Sequence, residues 1–101
     1  MVDREFFLGF IKIHILHHAS ENQIFGAEIA KELGRHGYVI GPGTLYPALH
    51  RLESEGYLES SSEVVDGKVR KYYSITTKGR RVLEDSRRKI KELVDEVLKE
   101  T

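Results

Sequence analysis

The chain has no cysteine, no tryptophan, one methionine and two prolines in 101 residues, and its formal net charge is zero. Without cysteine there is no disulfide framework, no thiolate metal site and no cysteine nucleophile, a usage that fits a reducing compartment. No apolar run approaches the roughly 20 residues of a membrane span. The most hydrophobic stretch, "FFLGFIKIHIL" at 6–16, is interrupted by Lys12 and His14. Asp3, Arg4 and Glu5 near the start do not resemble a basic signal-peptide opening. These absences point to a soluble, cytoplasmic protein with no membrane partner. What is present, 40% apolar residues, suits one globular core, and the length leaves room for one domain.

A neutral total argues against a nucleic-acid partner, but the charge is unevenly spread. Residues 1–34 hold three Lys/Arg and five Asp/Glu, residues 35–81 hold eight and five, and residues 82–101 hold five and six. The middle of the chain is therefore the basic part, with His36 and His50 in addition.

Apolar periodicity predicts a buried first helix over 4–19, with Asp3 placed to cap it. A second helix over 26–34 is expected to stop at Gly34. "YVI" at 38–40 is long enough for only a stub of strand. A third helix starts at Pro42, where the ring pre-sets φ and no amide donor is needed, and ends before Gly56. On it Leu45, Ala48, Leu49 and Leu52 share one face, while Gly43, Pro47, His50 and Ser54 point away, with Thr44, Tyr46 and Arg51 on the flanks. The period then changes. Two strands flank Asp66–Gly67, a strong type I′ hairpin signal, pairing Leu58 with Ile75, Ser60 with Tyr73, Glu63 with Arg70 and Val64 with Val69. The hairpin tip is charged, with Asp66, Lys68, Arg70 and Lys71. Thr76 or Thr77 caps a last helix reaching towards Lys99. Its apolar positions Leu83, Ile90, Leu93, Val94 and Val97 form a stripe near heptad spacing, too long for one small domain to cover, so a partner subunit is the economical cover.

Helix, helix, stub strand, helix, hairpin is the order of a winged helix-turn-helix, in which the third helix enters the major groove and the wing flanks it. "GPGTLYPALHRLESEGYLE" followed by "GKVRKYYSITTKGRRVL" closely resembles the PadR family of transcriptional regulators. The family pattern is Pro-Gly-Ser/Thr-Leu/Val-Tyr-Pro-x-Leu-x-Arg-Leu-Glu, then a basic Arg-Lys-Tyr-Tyr strand and a Thr-x-x-Gly helix start. The match covers roughly residues 8–85. Where relatives often carry Gly-Arg-Pro-Arg at the wing, this chain has Gly67-Lys68-Val69-Arg70, and its end is one helix, as in the short subfamily. The resemblance implies an α+β, mostly α fold: a DNA-binding winged helix-turn-helix over 1–76, continued in the same unit by a dimerisation helix over 77–101. It further implies a homodimeric repressor paired through its first and last helices, with double-stranded DNA as partner and no cofactor.

The expected DNA-binding residues are Gly43, Thr44, Tyr46, Pro47, His50 and Arg51 on the third helix and Lys68, Arg70 and Lys71 on the wing. Each has a plainer reading. Tyr46 also suits a core aromatic at the helix edge, Thr44 and His50 a solvated surface, Arg51 a pair with Glu55, and the wing cations ordinary strand solubility. Lys78, Arg80 and Arg81 crowd the start of the last helix, where the dipole disfavours cations, which hints at an anionic partner. The expected dimer residues are Phe6, Phe7, Phe10, Leu83, Ile90, Leu93, Val94 and Val97. Some relatives bind flat aromatic compounds at the dimer interface, so the three phenylalanines would line an effector pocket. Packing is the favoured role, because no tryptophan is present and the last helix has no aromatic to sandwich a ligand. His14 and His18, four apart, have the spacing of two metal ligands, but no third ligand is evident and no metal site is expected. "GPGT" lacks the Walker spacing and lysine, and no convergent catalytic set is found, so no enzyme is expected. A winged helix used only as a protein-interaction module is the alternative, supported by the neutral total.

Overall fold

The computed structural model describes residues 3–99, so the outermost two positions of the expected units 1–76 and 77–101 lie outside the described residues. The element order is α1 (Arg4–Glu21), β1 (Ile24–Phe25), α2 (Gly26–Arg35), α3 (Pro42–Ser54), β2 (Leu58–Val65), β3 (Lys68–Ile75) and α4 (Thr77–Val97). Three antiparallel strands in the order β1-β3-β2 form the small sheet. This is a mostly helical α+β winged helix-turn-helix.

Local chemistry sets most of the boundaries. The Asp3 carboxylate accepts a hydrogen bond from Phe6 N at 3.1 Å and opens α1. The expected stop at Gly34 is displaced. Gly34 stays helical, and Gly37 takes the left-handed conformation, φ 83°, while the amides of Tyr38 and Gly37 donate to the carbonyls of Leu33 and Gly34. Those two bonds satisfy carbonyls that the helix end would leave open, and only a residue free to take positive φ permits them cheaply. The same bond pair closes α3 at Gly56, from Tyr57 to Leu52 and from Gly56 to Glu53.

The stub strand is not at 38–40 but at Ile24–Phe25, opposite Tyr73 and Tyr72. Its place is decided by tertiary contact: Ile24 is buried against the core and β3 offers it an edge, whereas Val39 is fully in solvent. The hairpin has the expected register throughout, Leu58 against Ile75 and Glu63 against Arg70 included. Asp66 and Gly67 both have positive φ, 51° and 77°, as a type I′ turn requires.

One core joins all elements. Ile11, Ile15 and Leu16 of α1 meet Ile29 and Leu33 of α2, the four apolar positions of α3, and Leu58, Tyr73 and Ile75 at the hairpin base. Leu83 of α4 is also inside it, 2% exposed. Leu83 therefore does not belong to the apolar stripe expected to meet a second subunit. Seven and fourteen residues on, Ile90 and Val97 are exposed, as are Leu93, Val94 and Leu98. On α1, Phe6 and Phe10 are also exposed, but Phe7 is half-buried and meets Tyr38 edge-on, with centroids 5.3 Å apart.

The junction between sheet and α4 is tight. Thr76 Oγ1 accepts from Gly79 N at 2.9 Å, capping α4, and donates to the Gly56 carbonyl at 2.6 Å. Gly79 packs so closely on the hairpin that an added Cβ would sit 2.1 Å from the Tyr57 carbonyl oxygen. Backbone cannot rotate away as a side chain would, so Gly79→Ala is expected to cost about 3 kcal/mol or more. Urea denaturation will read this as a lower midpoint with an unchanged slope.

Candidate nucleic-acid interface

Recognition by α3 depends on which side of it faces water. Leu45, Ala48, Leu49 and Leu52 are all buried, so the opposite face is held outward by the core itself. Gly43, Pro47 and His50 are exposed on that face, Thr44 is half-buried, and Arg51 is exposed at one flank. Gly41 is the cap residue and Pro42 follows at the helix mouth, where its missing donor costs nothing. Pro47 lies inside the helix without ending it.

Tyr46 lies between the DNA-facing and core readings. It is 44% exposed, yet its ring lies across the first residue of α2, where a Cβ on Gly26 would come within 2.8 Å of the ring and its hydroxyl. The absence of a side chain at Gly26 makes room for the ring, which puts the phenol beside the N-terminus of α2, with its open backbone donors.

On one side of α3 a cleft of about 750 Å³ separates it from the wing. Phe25, Gly26, Tyr46, His50, Lys68 and Arg70 line it, with Asp66 as an acidic member near the turn. On the other side a concavity of about 550 Å³ brings Arg4 and Lys12 of α1 beside Gly43, Thr44, Pro47 and Arg51. Cations thus flank the exposed start of α3 on both sides. Arg4, Lys12 and the Phe25–Gly26 pair were not picked out from the sequence. Arg4, Leu8 and Lys12 recur every four residues on one face of α1, a readable signal, but which element that face would meet was not readable.

The basic residues are not equally available. Arg51 Nε is 3.2 Å from Glu55, the plain pairing expected of it, although it remains largely exposed. Lys71 Nζ lies 3.3 Å from Glu53, and Ser60 donates to the other oxygen of the same carboxylate. Those hydrogen bonds, Ser60 first and then Lys71, hold the Glu53 carboxyl below its usual range, and Glu53 in turn raises Lys71. A lowered carboxyl stays ionised to lower pH than a free one, so the tie between α3 and the wing extends correspondingly further into acid before it is lost. Arg70 has its guanidinium 4.2 Å above the Phe25 ring, which in turn meets Tyr72 edge-on. Stacking leaves the charge of Arg70 intact. Lys68 is exposed beside the turn. Lys78, expected to seek an anion, instead donates to the Glu55 carbonyl at the end of α3 at 2.8 Å and lies over Tyr57. A cation at a helix C-terminus is favourably placed, which accounts for Lys78, while Arg80 and Arg81 stay exposed at the start of α4.

Residues 15–85 match the family described as the transcriptional regulator PadR-like family. The chain is 52% identical to the transcriptional regulator Rv3488 of Mycobacterium tuberculosis over 95 residues, covering 94% of this chain and 89% of that protein. A PadR family transcriptional regulator from Eggerthella lenta is 37% identical in its crystal structure, with a TM-score of 0.81 over 90% of this chain and 80% of its own. A transcriptional regulator from Clostridium thermocellum is 30% identical, with a TM-score of 0.81 over 97% and 95%. With a winged fold, a solvent-facing α3 bracketed by cations, and these matches, the chain belongs to the PadR-like family of DNA-binding transcriptional regulators.

Proposed function

We propose that the protein is a homodimeric repressor of the cytoplasm, reading a roughly palindromic operator with α3 of each subunit in successive major grooves and the wings on flanking backbone. The observation that carries this reading is the outward face of α3 from Gly43 to His50, free of bulky apolar side chains and bracketed by Arg4 and Lys12 on one side and Lys68 and Arg70 on the other. Gly43 permits close backbone approach, Tyr46 offers a hydroxyl beside the α2 N-terminus, and Thr44 and His50 are the polar groups placed to meet base edges. Pro47 is exposed on the same face. Lys71 and Arg51 are secondary contacts, because each already has a carboxylate partner. A duplex covered in this way is closed to other proteins, which is the physical basis of repression.

Pairing of two chains is supported by Ile90, Leu93, Val94 and Val97, which are 41–64% exposed along one helix. An apolar stripe of that length has no cover among the described residues, and a twofold copy supplies the same stripe in return. Phe6 and Phe10 extend the apolar surface on α1. A small aromatic effector between subunits remains a further proposal for these phenylalanines. A protein-interaction module is the second reading, favoured by the neutral net charge. Duplex binding no tighter than about micromolar at physiological salt, and blind to sequence, would select it.

Neutralising both free wing cations, Lys68→Ala with Arg70→Ala, removes four cations per dimer and is expected to weaken binding to every duplex and to flatten the dependence of log Kd on log salt by about three to four units. A gel-shift titration across salt concentrations reads both, and an unchanged slope rejects the wing contact. Gly26→Ala should displace the Tyr46 ring, lowering DNA affinity several-fold with little loss of melting temperature. Introducing charge into the stripe, Leu93→Glu with Val97→Glu, should yield a monomer in sedimentation equilibrium where the unaltered chain is a dimer.

A further inference from the structure

Three imidazoles from two parts of the chain meet where α1 faces the end of α2. His14 and His18 are one turn apart on α1, and His36 follows the last turn of α2. One ring nitrogen from each lies within 4.8 Å of the others. The His14 and His36 rings stack, with centroids 4.9 Å apart and planes at 27°, and Tyr38 closes on His14 edge-on at 5.3 Å. His18 Nε2 is buried and has no hydrogen-bond partner among the described residues. A buried ring nitrogen without a partner is costly unless something fills that role.

The geometry points to a transition-metal site formed by His14, His18 and His36, taking Zn²⁺ or a similar borderline divalent cation, with a fourth position open to water. Three neutral imidazoles are a donor set such ions favour, and tetrahedral ligation at 2.0–2.1 Å needs ring nitrogens roughly 3.4 Å apart. Closing from 4.8 Å is a matter of side-chain rotation. His36 is exposed and free to swing, while His14 and His18 are fixed by their helix. Glu21 lies 3.9 Å from His18 Nδ1, where a carboxylate would orient the ring and leave Nε2 to the metal.

A second group, His17, His18 and Glu21, is equally close but less free. His17 Nδ1 is 3.2 Å from Arg87 of α4, and its Nε2 is 3.5 Å from Glu21. Both nitrogens of His17 are thus engaged, and the nearby guanidinium opposes a cation. Occupancy of the first site would fasten the connection leading into α3 to the middle of α1.

The test uses the full chain freed of metal and titrated with Zn²⁺ in competition with a chromophoric chelator. One ion per chain is expected, with a micromolar or tighter Kd. His36→Ala should weaken binding about tenfold or more and leave the melting temperature of the metal-free protein unchanged, because His36 is on the surface. His17→Ala should keep the affinity within about twofold. Co²⁺ in place of Zn²⁺ should give visible absorption of tetrahedral intensity that His36→Ala abolishes. Absence of saturable binding, wild-type affinity in His36→Ala, or an equal loss in His17→Ala overturns the site.

Discussion

Burial of one face of α3 is the constraint from which the rest of the molecule follows. Leu45, Ala48, Leu49 and Leu52 enter a core built by α1, α2 and the hairpin base, and together they fix both the depth and the rotation of the helix. Each of the three buried leucines contributes about 1.5–3 kcal/mol of transfer free energy, so rolling the helix by even a quarter turn would cost much of the fold's net stability. The polar face is therefore presented to solvent as a by-product of packing. A helix that carries a proline in its interior and glycine at its start has weak intrinsic propensity, and the core supplies what propensity does not.

Electrostatics act at shorter range than the neutral total suggests. Of the middle region's cations, Lys71 and Arg51 are paired with carboxylates and Lys78 serves a helix end, whereas Lys68 and Arg70 stay available on the wing and Arg4 and Lys12 join from α1. The field near α3 comes from residues far apart in sequence. Exposed charges farther apart than the Debye length, about 8 Å at physiological salt, are largely screened from one another, so the field in a cleft is set by the charges that line it more than by the net total.

What was legible in the sequence was whatever depended on local rules. The α3 face, the left-handed cap at Gly56, the Asp66–Gly67 turn and the full hairpin register all follow from periods and turn chemistry that need no knowledge of neighbours. The misreadings share the opposite cause. A two-residue strand has no periodicity, and β1 exists only because Tyr72 and Tyr73 pass alongside it. Leu83 obeys the heptad as well as Ile90 does, and only the packing of the first turns of α4 on α1 and the hairpin base separates them. Gly34 and Gly37 are both reasonable helix stops, and the choice rests on carbonyl bonds that form once Tyr38 has found Phe7 and His14. No third imidazole was evident beside His14 and His18, because His36 follows a different helix. For the candidate DNA face, residue types and their side of the helix were readable, but Gly26 as the seat of Tyr46 was not, since a missing side chain gives no signal until the ring above it is seen.

The shared carboxylate of Glu53, held by Ser60 from β2 and Lys71 from β3, clamps reader helix and wing into one caliper. In the proposed complex, a gap preset in this way leaves more of the fitting to the duplex. Bending and groove width differ among base steps in their stiffness, and a rigid gauge converts those differences into preference at base pairs no side chain reaches.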